Sequence, residues 1–280
     1  MVVRLQCPDA DQDAFIDQVV AQRQDGVNAA FFTGIQANWK LRVQSYRDHG
    51  GDPTVIRPMA AFTCYAGRFQ NLYLNPSEHS VQKPVLQALR SRTHQFCPAC
   101  GEDGTPNTLD HYLPKQTYPE FSITAWNLFP MCDICQGEKG TKTVNVANER
   151  LFLHPYFDQF MDAQVVELEI GTPYNAPTSI SVAPHNTLDA AESALVSRHL
   201  NELNIAKRFN HFFKSEYLRL LRLVRDIRVG GMDVTTMLGY FRSNARDKSI
   251  NSWGHVFYTA VLSNAALMDY LCNGQLPDDL

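Results

Sequence analysis

Three features of the 280-residue sequence predict an α+β protein, a mainly helical body carrying an inserted ββα module. Helical periodicity fills the first ninety residues and returns beyond Thr187. From Phe96 to about 150 the texture breaks into short runs punctuated by Cys, Gly, Pro and Asn. Two β-leaning runs, VVELEIG and TSISVAP, stand between these regions. At 44% apolar residues and this length, the chain can bury a sizeable core near the upper size of one domain, which favours one main body plus an insert. The expected division is 1–92, mainly helical; 93–150, the module; and 151–280, a β-hairpin followed by helices.

In chain order, DADQDAFIDQVVAQRQ starts acidic and places Phe15, Ile16, Val19 and Val20 at helical spacing. ANWKLRVQSYRDHGG is helical in pattern and stops at Gly50 and Gly51, and VQKPVLQALRSR is a second short amphipathic stretch. NTLDHYL reads as a strand ending near Asp110 and His111, WNLFPMC as a returning strand, and DICQGEKG as a short helix. After the aromatic, Pro-punctuated RLFLHPYFDQF, the two β-leaning runs can pair across TPYNAP. Leu200, Leu203, Phe209, Phe213, Leu220, Val224 and Ile227 then mark one long helix or two consecutive ones. INSWGHVFYTAVLSNAALMDYLCNG predicts a further buried helix ended by Gly274.

Several function classes are disfavoured. No apolar run approaches the roughly 20 residues of a bilayer span, and MVVRLQCPDADQD turns acidic too early for a secretory signal, so a cytoplasmic protein without membrane partners is expected. The net charge of -4 confines any nucleic-acid contact to a local surface. Residues 198–228 offer one, with Arg198, Lys207, Arg208, Lys214, Arg219, Arg222, Arg225 and Arg228 against Glu202, Glu216 and Asp226. Arg219, Arg222 and Arg225, continued by Arg228, recur every third residue and form a slanting ridge on a helix. Such a ridge is either a solvated face or a contact for phosphates or an acidic partner.

Among the seven cysteines, CPACG and CDIC place Cys97, Cys100, Cys132 and Cys135 in two CxxC turns, a spacing that presents four thiolates to one zinc ion. Cys7, Cys64 and Cys272 are scattered and read as ordinary reduced thiols. Zinc would hold both ends of the intervening thirty or so residues, so TLDHYLPK and AWNLFPM must form a compact excursion of their own.

Together, CPACG, LDHYLPK, WNLFPMC and CDICQGEKG resemble the zinc-braced HNH endonucleases of the ββα-metal group. DHYLPK followed by YPEF, WNL and FLHPYFD is similar to HNH nucleases of bacterial anti-phage systems such as the Septu type, which work beside a partner ATPase. The resemblance runs from Cys97 to about Asp158. It implies hydrolysis of DNA phosphodiesters to 5′-phosphate and 3′-hydroxyl ends, with structural zinc and a catalytic Mg²⁺ or Mn²⁺. In that pattern His111 activates water, Asp110 holds the catalytic ion, and Asn127 fixes the loop that orients His111. Gln136 stands where relatives carry a His or Asn ligand; its amide oxygen is the same ligand type on one more methylene, so either Gln136 ligates, or water or another group such as His154 completes the ion's shell, or this copy of the motif is slow or inactive.

The residue types suit this chemistry, since an imidazole is a base near neutral pH and carboxylate oxygens suit hard divalent ions. No GxxxxGK[ST] motif occurs, so nucleotide sensing would belong to the partner ATPase. The rival reading is a non-catalytic zinc-ribbon adaptor for protein or nucleic acid, in which Asp110 bonds locally and His111 is a supporting residue. Lys115 and Lys139 are expected on the solvated surface, and His154 is expected to be a buried, hydrogen-bonded histidine packed against the module.

Overall fold

The computed structural model describes residues 2–9, 11–92, 94–278 and 280. Among the described residues the protein is α+β and about half helical, with two small two-stranded sheets. Its chain divides into two compact units.

One unit comprises Arg4–His94 and Thr105–Gln159. Its helices are α1 (Gln12–Ala21), α2 (Ala29–Asp48), α3 (Ala60–Thr63), α4 (Ala66–Leu74) and α5 (Gln82–Arg90). They are followed by β1 (Thr108–His111), β2 (Leu128–Met131) and α6 (Asp133–Lys139). The carboxylate of Asp11 caps α1 by accepting from Ala14 N at 3.0 Å. Helix α2 buries Phe32, Trp39, Val43 and Tyr46, a stripe at helical spacing, and Phe32, Trp39 and Phe69 of α4 pack as an aromatic group. The chain leaves α2 through Gly51 at φ +68°, where an added Cβ would meet the Tyr46 ring at 2.6 Å. Only glycine fits there.

Strands β1 and β2 pair antiparallel, with Leu109 opposite Pro130, Asp110 opposite Phe129 and His111 opposite Leu128. Leu109 and Leu128 pack with Ala125 on Leu86 and Leu89 of α5, fixing one face of the hairpin.

The other unit comprises Gln95–Gly104 and Phe160–Leu280, with the start of the chain up to Val3. It contains the antiparallel pair β3 (Val166–Ile170) and β4 (Ile180–Pro184). Five helices follow: α7 (Ala190–Glu202), α8 (Ile205–Val229), α9 (Val234–Lys248), α10 (Trp253–Ser263) and α11 (Ala265–Asn273). A capping box of Asp189 and Glu192 starts α7, and Asn204 at φ +50° separates α7 from α8.

The C-terminal run expected as one helix is two. The Asn264 side chain accepts from Leu267 N at 3.0 Å and caps α11, so the backbone breaks where a helix start competes with continuation. Among the described residues, no helix is long and apolar enough to cross a membrane.

Candidate functional site

The two CxxC turns are built differently. In the first, Gly101 N and Cys100 N both donate to Cys97 O, at 2.7 and 3.3 Å, and Gly101 turns the chain at φ +70°. In the second, Cys132 is the N-cap of α6 and its sulfur accepts from Cys135 N at 3.4 Å. The four sulfurs lie within 4.8 Å of one another, and all but that of Cys132 belong to buried residues. Among the described residues this is the one group of three or more His, Cys, Asp or Glu side chains close enough to share a metal ion.

The donor set suits zinc. Four thiols at this spacing can close a tetrahedral site, and N–H groups aimed at sulfur favour the thiolate form. One such group is the guanidinium of Arg208, whose Nη1 lies 3.7 Å from Cys100 Sγ and also pairs with Glu102. Trp253 Nε1 donates to Cys100 O at 2.6 Å, and His199 Nε2 bonds Ala99 O at 2.7 Å. No local pattern could have singled out these supports, which lie more than ninety residues along the chain from the turn they hold.

Asp110 and His111 are both buried and take different partners, as successive strand residues do. Asp110 faces α6: Gln136 Nε2 donates to its Oδ1 at 3.3 Å, and Lys139 Nζ lies 3.0 Å from its Oδ2 without hydrogen-bond alignment. His111 Nε2 lies 3.0 Å from Ser122 O, and its ring meets that of Tyr73 edge-on at 4.5 Å. A carbonyl only accepts, so Nε2 carries the proton, and the Nδ1 lone pair is uncommitted among the described residues. Burial, reinforced by Lys115, pushes the His111 pKa down to about 3 and keeps the ring neutral.

Asn127 is fully buried with its amide satisfied. Its Oδ1 accepts from Leu113 N at 2.7 Å and from the Tyr46 hydroxyl at 3.0 Å, and its Nδ2 donates to Leu113 O and Phe121 O. One side chain thus ties both ends of the loop between the strands, beside the Ser122 carbonyl that holds His111. Trp39 Nε1 donates to Glu120 O at 2.7 Å, and Arg42 pairs with the Glu120 carboxylate at 2.7 Å, anchoring the same loop to α2.

His154 is fully buried, as expected. Its Nδ1 accepts from Tyr156 N at 3.1 Å, so Nε2–H donates to the Tyr46 hydroxyl at 2.9 Å, and Tyr46 in turn donates to Asn127. Burial holds its pKa well below the usual histidine value. Both nitrogens are engaged, which leaves His154 no lone pair for a metal.

Two expectations are corrected. Lys139 is not solvated surface: it is 1% exposed, and its Nζ donates to His111 O at 2.7 Å. It follows Cys135 by four residues on α6 and shares the inward face that the cysteine fixes. Lys115 is half-buried, with its Nζ 5.4 Å from the Tyr73 ring centre, and burial lowers its pKa.

The basic ridge is also shorter than its sequence. Arg228 donates to the carbonyls of Tyr270, Leu271 and Gly274 and closes the C-terminus of α11. Arg219, Arg222 and Arg225 are exposed, but Arg219 pairs with Glu216 and Arg225 with Asp226, each at 3.2 Å.

Neither a protein-family model nor a solved structure matches this chain. Two curated proteins are similar to parts of it. Protein ea31 of Escherichia phage lambda is 36% identical over 118 residues, 40% of this chain and 39% of that protein. The Septu protein PtuB of Bacillus thuringiensis is 36% identical over 64 residues, 21% of this chain and 25% of that protein. The chain spans well under half the length of either relative.

Proposed function

We propose that the protein is a metal-dependent endonuclease of the HNH type that hydrolyses DNA phosphodiester bonds in anti-phage defence, beside a partner ATPase. The observation that carries this reading is the state of His111: a neutral ring, with Nε2–H committed to Ser122 O and the Nδ1 lone pair uncommitted. A water held at Nδ1 would lose its proton there as it attacks phosphorus. A ring with so low a pKa is a weak base, and an incoming phosphodiester anion raises it by stabilising the charged imidazolium. Asn127 keeps the loop, and with it the Ser122 carbonyl, in one place.

The remaining donors suit a hard divalent ion. Asp110 and Gln136 face each other as oxygen-bearing side chains, and Mg²⁺ or Mn²⁺ would complete its shell with water. Such an ion would stabilise charge on the phosphate and on the departing 3′-oxygen. Gln136 has its amide nitrogen toward Asp110, so its oxygen serves only after the side chain turns. On α8, Arg219, Arg222 and Arg225 are the proposed phosphate contacts. Similarity to a Septu protein supports the defence role and a partner within such a system.

The reading is tested by incubating zinc-loaded protein with plasmid and Mg²⁺ or Mn²⁺, with and without the partner ATPase, beside a His111→Ala variant. Metal-dependent nicking that the variant loses is the expected result. Equal nicking by both proteins, or none under any condition, leaves the zinc-ribbon adaptor instead. Zinc below about half an equivalent per chain by elemental analysis would contradict the four-thiolate site.

A further inference from the structure

We propose that Lys139 is the resident counter-ion of Asp110, with which a divalent cation must compete for the carboxylate, so that this lysine sets how tightly the site takes its ion. The inference rests on the reading of Asp110 as an ion-binding carboxylate. A lysine this buried requires compensation, because an ammonium removed from water is costly unless it is paired and hydrogen-bonded. The two oxygens that compensate it belong to neighbouring residues in β1.

Those two contacts are unequal. The bond from Nζ to His111 O is 2.7 Å, whereas the approach to Asp110 Oδ2 is 3.0 Å and unaligned. The other Asp110 oxygen has only the 3.3 Å bond from Gln136. Lys139 is thus anchored to the backbone of His111 and merely leans on the carboxylate. A cation can therefore take Asp110 without uprooting the lysine. The charge already there works against it, since Lys139 and the half-buried Lys115 both lie close by. Weak ion binding by the free protein follows, and a phosphodiester anion would relieve it.

The experiment measures Mn²⁺ binding to the zinc-loaded full chain by electron paramagnetic resonance, with melting followed in the presence and absence of Mn²⁺. Lys139→Gln removes the charge while keeping a donor for the His111 carbonyl; Lys139→Met reads the same if the first variant does not fold. We expect Lys139→Gln to bind Mn²⁺ about tenfold tighter or more, by removal of an adjacent like charge. The gain should vanish when Asp110→Asn is added, and Lys139→Arg should keep the wild-type affinity. Added Mn²⁺ should raise the melting temperature of Lys139→Gln more than that of the wild type.

Affinity unchanged or weakened in Lys139→Gln, or tightened regardless of Asp110, overturns the proposal while leaving the ion role of Asp110 standing. No Mn²⁺ bound by any of these proteins overturns both, and Lys139 is then a structural ion pair.

Discussion

The hairpins β1–β2 and β3–β4 are each two-stranded and antiparallel, yet they treat polar residues in opposite ways. In β3, buried Val166, Leu168 and Ile170 alternate with the more open Glu167 and Glu169, so one face meets the core and the other meets water. In β1–β2 almost every residue is buried, Asp110 and His111 included, and the loop between the strands buries Asn127 as well. An alternating hairpin gains stability from every apolar residue it covers. A hairpin buried on both faces with a carboxylate and an imidazole inside gains less, and needs Lys139, Gln136 and Ser122 to offset the desolvation. That difference sets β1–β2 apart as the hairpin that keeps polar side chains in a dry interior.

Substitutions in and around the two hairpins put this contrast to the test. The largest effect should come from the metal: Cys135→Ser, or stripping zinc with a chelator, should cost on the order of 10 kcal/mol of binding-linked folding free energy around β1–β2. Hydrogen exchange should show β1–β2 losing protection while β3–β4 keeps it. Next, His111→Ala should reduce nicking by roughly 10²–10⁴-fold, equivalent to about 3–6 kcal/mol, with zinc content unchanged. Asn127→Ala should follow at about 2–4 kcal/mol in urea unfolding, because several buried backbone groups lose their partner at once.

The acid response comes next. His111 is neutral in the folded protein with its pKa near 3, while the unfolded chain protonates at the ordinary value of about 6.5. The unfolded state therefore binds the extra proton between those values. Stability should be insensitive to this group above pH 6.5 and should fall below it by about 1.4 kcal/mol per pH unit until roughly pH 3. His154 acts in the same direction. Urea midpoints at pH 7 and 5.5 should show the drop, and His111→Ala should lessen it. Last, Glu169→Ala on the open face of β3 should change stability by less than about 0.5 kcal/mol. A larger loss there would erase the distinction between the hairpins.

Much of this organisation was legible in the residues. The strands around Asp110 and Leu128, the short helix after Cys132, the hairpin across TPYNAP and the helices after Thr187 follow from local periodicity and punctuation, and the structure has them. The convergence of four sulfurs follows from paired CxxC spacing. What stayed hidden depends on partners far along the chain. Lys139 is buried with β1 across from it, where His111 O and the Asp110 carboxylate compensate its charge, and propensity alone cannot see a neighbour on another element. Arg208 and Arg228 look like members of a charged strip until a cysteine sulfur and the end of another helix claim them. The break at Asn264 is a capping choice that an unbroken apolar pattern conceals.

The line from His154 through Tyr46 to Asn127 gives helix α2 a share in whatever β1–β2 does. Its hydrogens all run one way, and the middle link is a single phenolic oxygen. A phenylalanine at position 46 would preserve the packing and delete that oxygen, leaving an imidazole proton and an amide lone pair stranded in a dry interior. Helix α2 thereby becomes a place where the loop, and with it the tilt of the His111 ring bonded to Ser122 O, can be retuned.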